Sequence, residues 1–160
     1  MLHVMLIFIG LSPDAFAVET AECRAGSPAV SQVRAVAAGI IAADNDRNLA
    51  RVLSFYATDA ILMPPNEAAV RGRDAIRPRY EGLFSAFDPE IEGRIDEACV
   101  TGPIAVIRGS NAGRLRGRGQ QSSRTLNDVY IMLLRLDADG SWRISHLMWH
   151  AASLPERDAR

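Results

Sequence analysis

The sequence predicts an α+β fold in which helices covering the N-terminal half pack on one face of a strongly bent antiparallel sheet. Three observations carry this reading. Apolar residues recur at three- and four-residue steps as far as Phe87, which is the helical period, and after Asp88-Pro89 they recur at every second residue, which is the strand period. Asp137-Ala138-Asp139-Gly140 then separates two alternating runs, as a hairpin turn does. With 160 residues, 48% of them hydrophobic, the chain has room for one domain and its core.

Met1 to Leu11 is apolar apart from His3 and is followed by Ala15-Phe16-Ala17. This small-x-small pattern reads residues 1–17 as a secretory signal peptide, and so places the mature protein in the periplasm or outside the cell. The alternative is an N-terminal strand or helix packed on the core, with the protein in the cytoplasm. Either way the run is shorter than the about 20 apolar residues that cross a bilayer, and no membrane partner is expected. Residues 18–27 form an N-terminal extension. Ser27-Pro28 opens the first helix, whose Val30, Val33, Val36, Ala37, Ile40 and Ile41 make one face and whose end is the polar cluster Asp44-Asn45-Asp46. Leu49 to Tyr56 is a second, short helix with Leu49, Val52, Leu53 and Tyr56 on one side. Ala60 to Met63 is a short strand stopped by Pro64-Pro65. Arg73 to Phe87 is a third helix with Ile76, Tyr80, Leu83, Phe84 and Phe87 inward, and Pro78 in its early turns.

Strands are expected over Glu90–Cys99, Ile104–Asn111, Thr125–Leu136 and Trp142–His150, with Gly113 to Gly119 leading out of the second. The folded domain therefore spans residues 28–152, followed by a flexible tail, 153–160.

Eighteen basic residues oppose 19 acidic ones for a net charge of -1, so no global field draws nucleic acid or anionic lipid. Every basic residue is Arg, which excludes a lysine Schiff base and a P-loop lysine. The run Arg114-Leu115-Arg116-Gly117-Arg118 carries no interleaved aromatic and fits an exposed hairpin better than a nucleic-acid surface. Cys23 and Cys99 lack metal-ligand spacing, so neither a metal nor a cofactor is expected. In an exported chain they are a disulfide candidate; otherwise they are two unpaired thiols.

YATDAILMPPNEAAVRGRDAIRPRY, residues 56–80, and DVYIMLLRLDADGSWRISHLMWH, residues 128–150, resemble the nuclear transport factor 2-like superfamily, above all its small bacterial ketosteroid isomerase-like and SnoaL-like members. The resemblance implies a cone: a strongly curved antiparallel sheet wrapped over the long first helix, an apolar pocket open at one end, and usually a homodimer. It implies no single chemistry, because isomerases, cyclases, epoxide hydrolases, dehydratases and binding proteins share this scaffold. Carried over position by position, the isomerase's Tyr falls on Ile40, its Asp base on Pro64 and its second Asp on Met132. None of the three moves a proton, so steroid isomerisation by the Tyr/Asp/Asp mechanism is excluded. An epoxide hydrolase relay would find Asp128 and Arg108 but no third member.

The closing hairpin decides which side chains face the pocket. With an even turn, Asp128 pairs with Trp149, Tyr130 with Leu147 and Met132 with Ser145. A bulge at Gly140 would shift every partner by one and bring His146 and His150 to that face. Family comparison favours the first register, in which Tyr130, Met132, Leu147 and Trp149 line the ligand pocket together with Tyr80 and Ile40 from the helices. The opposite face then carries Val129, Ile131, Leu133, Ile144, His146 and Met148. It is too apolar for solvent and predicts a homodimer. Asp128, alone among acids in the run Leu126–Leu136, is the candidate catalytic acid or base. His146 and His150 share a face but lack a carboxylate at metal spacing. The leading function is binding of a small, largely apolar molecule. The alternatives are a general acid–base enzyme of isomerase, cyclase or dehydratase type, and a noncatalytic dimeric association domain.

Overall fold

The computed structural model describes residues 21–119 and 122–152, so residues 1–17, read above as a signal peptide, and residues 153–160, read as a flexible tail, lie outside the described residues. Helix α1 (Pro28–Asn45) starts where the sequence places it. Ser27 is extended and its Oγ accepts the Val30 N–H at 3.1 Å, and Pro28 follows in the first turn, where its missing N–H has no partner to lose. Its stripe Val30, Val33, Ala37, Ile40 and Ala43 is buried. Helix α2 (Leu49–Ser54) is capped by Asn48, whose side chain accepts the Arg51 N–H. Helix α3 (Arg73–Ala86) follows Gly72, which has φ 88°, and buries Ile76 and Phe84. Phe87 is not its last apolar residue but opens the next strand.

The strands are β1 (Tyr56–Met63), β2 (Val70–Arg71), β3 (Phe87–Thr101), β4 (Ile104–Gly117), β5 (Ser123–Leu136) and β6 (Trp142–Ala151), in the order β2-β1-β6-β5-β4-β3. Neighbours are antiparallel except β1 and β6, which run parallel, so the sheet is mixed as well as open. The Arg-rich run is not an excursion from β4 but its C-terminal end, paired with β5 as far as Arg116 and Ser123. Strand β3 bulges at Asp96, between the pairs Ile95–Gly109 and Glu97–Arg108, and this bends the sheet into a concave wall. Gly109 makes the bend possible: a Cβ there would collide with the Arg94 carbonyl oxygen and lie 2.6 Å from the Tyr130 hydroxyl. Gly109→Ala is accordingly expected to cost on the order of 1–3 kcal/mol in urea denaturation, and an unchanged midpoint would refute this account.

The β5–β6 register corrects the expected pairs. Tyr130 pairs with Trp149, Met132 with Leu147 and Asp128 with Ala151, whereas Leu134 pairs with Ile144 and Leu136 with Trp142. The turn over residues 137–141, closed by the Asp137 N–H on the Ser141 carbonyl, shifts the pairing once, and an extra residue at Ser145 shifts it again. Two single-residue shifts restore parity, so each partner is displaced by two while the faces are kept. Tyr130, Met132, Leu147 and Trp149 share the concave side; His146 and His150 pair with Leu133 and Val129 on the convex side. Ile144 is the exception. Lying before the extra residue, it turns inward opposite Leu134 and is fully buried, so it is absent from the convex face.

Cys23 and Cys99 are disulfide-bonded, with Cα atoms 4.1 Å apart, and Glu22 exchanges backbone hydrogen bonds with Val100 beside them. The N-terminal extension is thereby tied to β3, at the edge of the sheet.

Candidate functional site

Between the concave sheet and helices α1 and α3 lies a cavity of about 320 Å³. Its chemistry starts on α1. The stripe that buries Ile40 returns one turn later at Asp44, so a carboxyl group is carried onto the buried face and left 9% exposed. The next residue fixes the helix end: Asn45 donates from Nδ2 to the Ile91 carbonyl at 2.9 Å and accepts the Ile91 N–H at 2.8 Å. Asp44 Oδ1 is buried with no hydrogen-bond partner among the described residues. Burial raises its pKa to about 7.

Tyr56, fully buried on β1, and Tyr80, on α3, bring their hydroxyls to 2.8 Å. Phe84, one turn beyond Tyr80, packs on its ring at 5.7 Å between centroids. Burial pushes both phenols above their ordinary range, with Asp44 adding to the rise; the Tyr80 hydrogen bond partly offsets it for Tyr56. Both are therefore neutral donors at physiological pH. On the sheet side Asn111 of β4 stands opposite Asp128 of β5, and Asn111 Oδ1 is also buried without a partner. Half-buried Asp128 has its pKa raised by burial, against the opposing pull of Arg124 and His150, and makes no ion pair among the described residues. At the same cavity Arg79 is held by Glu67 at 2.5 Å.

Of the residues singled out in the sequence, Asp128, Tyr80, Tyr130, Leu147 and Trp149 line this cavity. Ile40 and Met132 do not: at 4% and 3% exposure they belong to the core, and Ile41 takes the wall position beside Asp44. Asp44 itself was missed, because the run Asp44-Asn45-Asp46 reads as a polar helix stop. The signal was its four-residue spacing from Ile40. Among the described residues no three His, Cys, Asp or Glu side chains are grouped to hold a metal ion. His146 Nδ1 lies 3.1 Å from Ser145 Oγ and His150 Nδ1 lies 2.8 Å from the Ala151 carbonyl. A carboxyl titrating near neutrality beside neutral phenols and a second carboxylate can give or take a proton at physiological pH.

A family model described as a SnoaL-like domain matches residues 37–145. No curated protein matches the chain. Among solved structures, a ketosteroid isomerase-like protein from Erwinia carotovora atroseptica is 22% identical with a TM-score of 0.73, over 80% of this chain and 99% of that one. A nuclear transport factor 2-like superfamily protein from Salmonella enterica is 12% identical with a TM-score of 0.70, over 85% and 99%. A candidate dehydratase of the same family from Streptomyces avermitilis is 14% identical with a TM-score of 0.68, over 78% and 97%. At such identities the likeness is one of fold.

Proposed function

The chain belongs to the SnoaL-like domain family, within the nuclear transport factor 2-like superfamily, and on that premise we propose that it binds a small, partly apolar molecule in the cavity and moves a proton on it through Asp44. The observation that carries this reading is the buried, unpaired Asp44 carboxyl titrating near 7 at the cavity wall. Tyr80, backed by Tyr56, donates to a ligand oxygen and stabilises negative charge that develops there. Asp128 supplies a second carboxylate in a more open setting, so that one acid can give a proton while the other takes one. Isomerisation, cyclisation and dehydration all draw on that pair of roles. Leu147 and Trp149 hold the apolar body of the ligand.

The test begins with mass spectrometry of a denatured extract of purified protein, to identify the bound molecule. With that substrate, kcat/KM is expected to bend near pH 7, and Asp44→Asn should abolish the bend. A profile indifferent to Asp44→Asn overturns the proposal.

Two further readings belong here. The convex face leaves Ile104, Val106, Ile131 and Met148 at 39–45% exposure, which supports a homodimer formed through it, with roughly 1 kcal/mol available from each as its remaining exposed part is buried. Ile131→Arg is expected to convert a dimer to a folded monomer in light scattering; a wild-type monomer at micromolar concentration would sink this reading. The Cys23–Cys99 bridge supports work in an oxidising compartment, consistent with export and a mature chain beginning at Val18.

A further inference from the structure

Asp44, on α1, and Asn111, on β4, line one cavity, and the Oδ1 of each is buried with no donor among the described residues. Buried acceptors are normally satisfied, so two orphans on one cavity mark a place that a bound molecule completes. The donors nearby leave them unmet: the Tyr56–Tyr80 hydrogen bond spends one of the two phenol protons and leaves one for a ligand, Arg79 is on Glu67, and neither orphan is bonded to Arg124, Thr125 or Trp149, which line the same cavity. Asp128, opposite Asn111 on the next strand, adds a carboxylate that no ion pair among the described residues neutralises. Leu62, Leu147 and Trp149 line the same cavity with apolar surface.

We propose that the ligand presents hydrogen-bond donors at its buried end, hydroxyl or amine N–H groups on an apolar body, and that Asn111 and Asp44 read them. This rests on the reading of the cavity as a small-molecule site and adds the chemical class. An ether or carboxylate end would leave Asn111 Oδ1 unmet at any pH, and Asp44 Oδ1 unmet once its carboxyl is ionised. Tyr56 from β1 and Tyr80 from α3 are coupled to Asp44, and the other titratable and charged groups on the same cavity are Arg79 from α3, Glu67 from the β1–β2 connection, and Arg124, Asp128 and Tyr130 from β5.

Four probes on one ring test it: cyclohexanol, cyclohexylammonium, cyclohexyl methyl ether and cyclohexanecarboxylate, titrated into the intact protein by NMR at pH 6 and pH 8. At pH 8, where Asp44 is ionised, the alcohol or the ammonium is expected to bind about tenfold more tightly than the ether. Asn111→Leu should reduce that preference to about threefold or less while the ether keeps its affinity. Should Asn111→Leu fail to fold, Asp44→Asn puts an amide donor in place of one acceptor and should move the preference toward the ether and carboxylate. The two donor classes separate by pH: an ammonium gains affinity from pH 6 to pH 8 as Asp44 ionises, and an alcohol does not. Binding of all four without preference, or of the carboxylate most tightly, overturns the inference and leaves the small-molecule reading standing. Binding of none overturns both.

Discussion

Asp44→Asn is expected to make the protein more stable at pH 8 and, at the same time, to lower its turnover by about 10²–10⁴-fold. The stability effect follows from linkage. The Asp44 carboxyl titrates near 3.8 in an unstructured chain and at about 7 when folded, because burial disfavours its charge. Between those values the folded protein binds the extra proton. The stability associated with this group is therefore complete below about pH 4, declines as pH rises toward 7, and stays lost above it. A shift of that size corresponds to roughly 4 kcal/mol at pH 8. Asn keeps the shape and removes the charge, so the wild-type minus variant difference in urea midpoint should grow between pH 5 and pH 8, with the variant ahead. Taking the difference cancels the other groups that titrate in that window. A difference that does not change with pH would place the carboxyl in its ordinary range and remove it as a proton carrier. Opposite signs for stability and rate are what a charge kept for chemistry produces; an ordinary core residue would lose both.

Replacing Cys23 and Cys99 with Ser should cost on the order of 4 kcal/mol, since the bridge closes a loop between residues 76 apart and removes that loop's freedom from the unfolded chain. For a domain of this size that is a fall in Tm of roughly 8–16 °C. Thermal melts of the double variant, and of wild type with and without reductant, read it directly. A change under about 2 °C would show that the tether adds nothing to what the core already provides. Locally, the loss should appear first where the bridge holds the chain. The Glu22–Val100 hydrogen bonds and the first turn of α1 should exchange their amide protons faster, while β5 and β6, inside the sheet, keep their protection.

Much of this architecture is local, and local features are legible in a sequence. Ser27-Pro28 followed by an apolar stripe at three- and four-residue steps specifies α1, because capping and periodicity act within a few residues of each other. The same holds for α3 and for the alternation that marks the strands from β3 onward. The faces of the closing hairpin were also legible, since parity survives a displacement of two residues even though the pairs do not. Its convex face was not wholly so: the extra residue at Ser145 sends Ile144 into the core, and a bulge leaves no mark in a pattern of apolar residues.

By itself, then, the sequence determined the class of fold, its order of helices and main strands, and part of the cavity wall, Tyr80, Asp128, Tyr130, Leu147 and Trp149, each through interactions between near neighbours in the chain. Only the tertiary structure decided what brings distant residues together. The parallel pairing of β1 with β6, the bond between Cys23 and Cys99, and the meeting of the Tyr56 and Tyr80 hydroxyls join segments whose spacing in the chain carries no information about their contact. Asp44 is the sharpest case. In the chain it is one acid in a polar run that ends a helix. Its burial, its unmet oxygen and its raised pKa exist because β3 is pinned to Asn45 beside it and the concave sheet closes over the helix end, excluding the water that would otherwise keep the carboxylate charged.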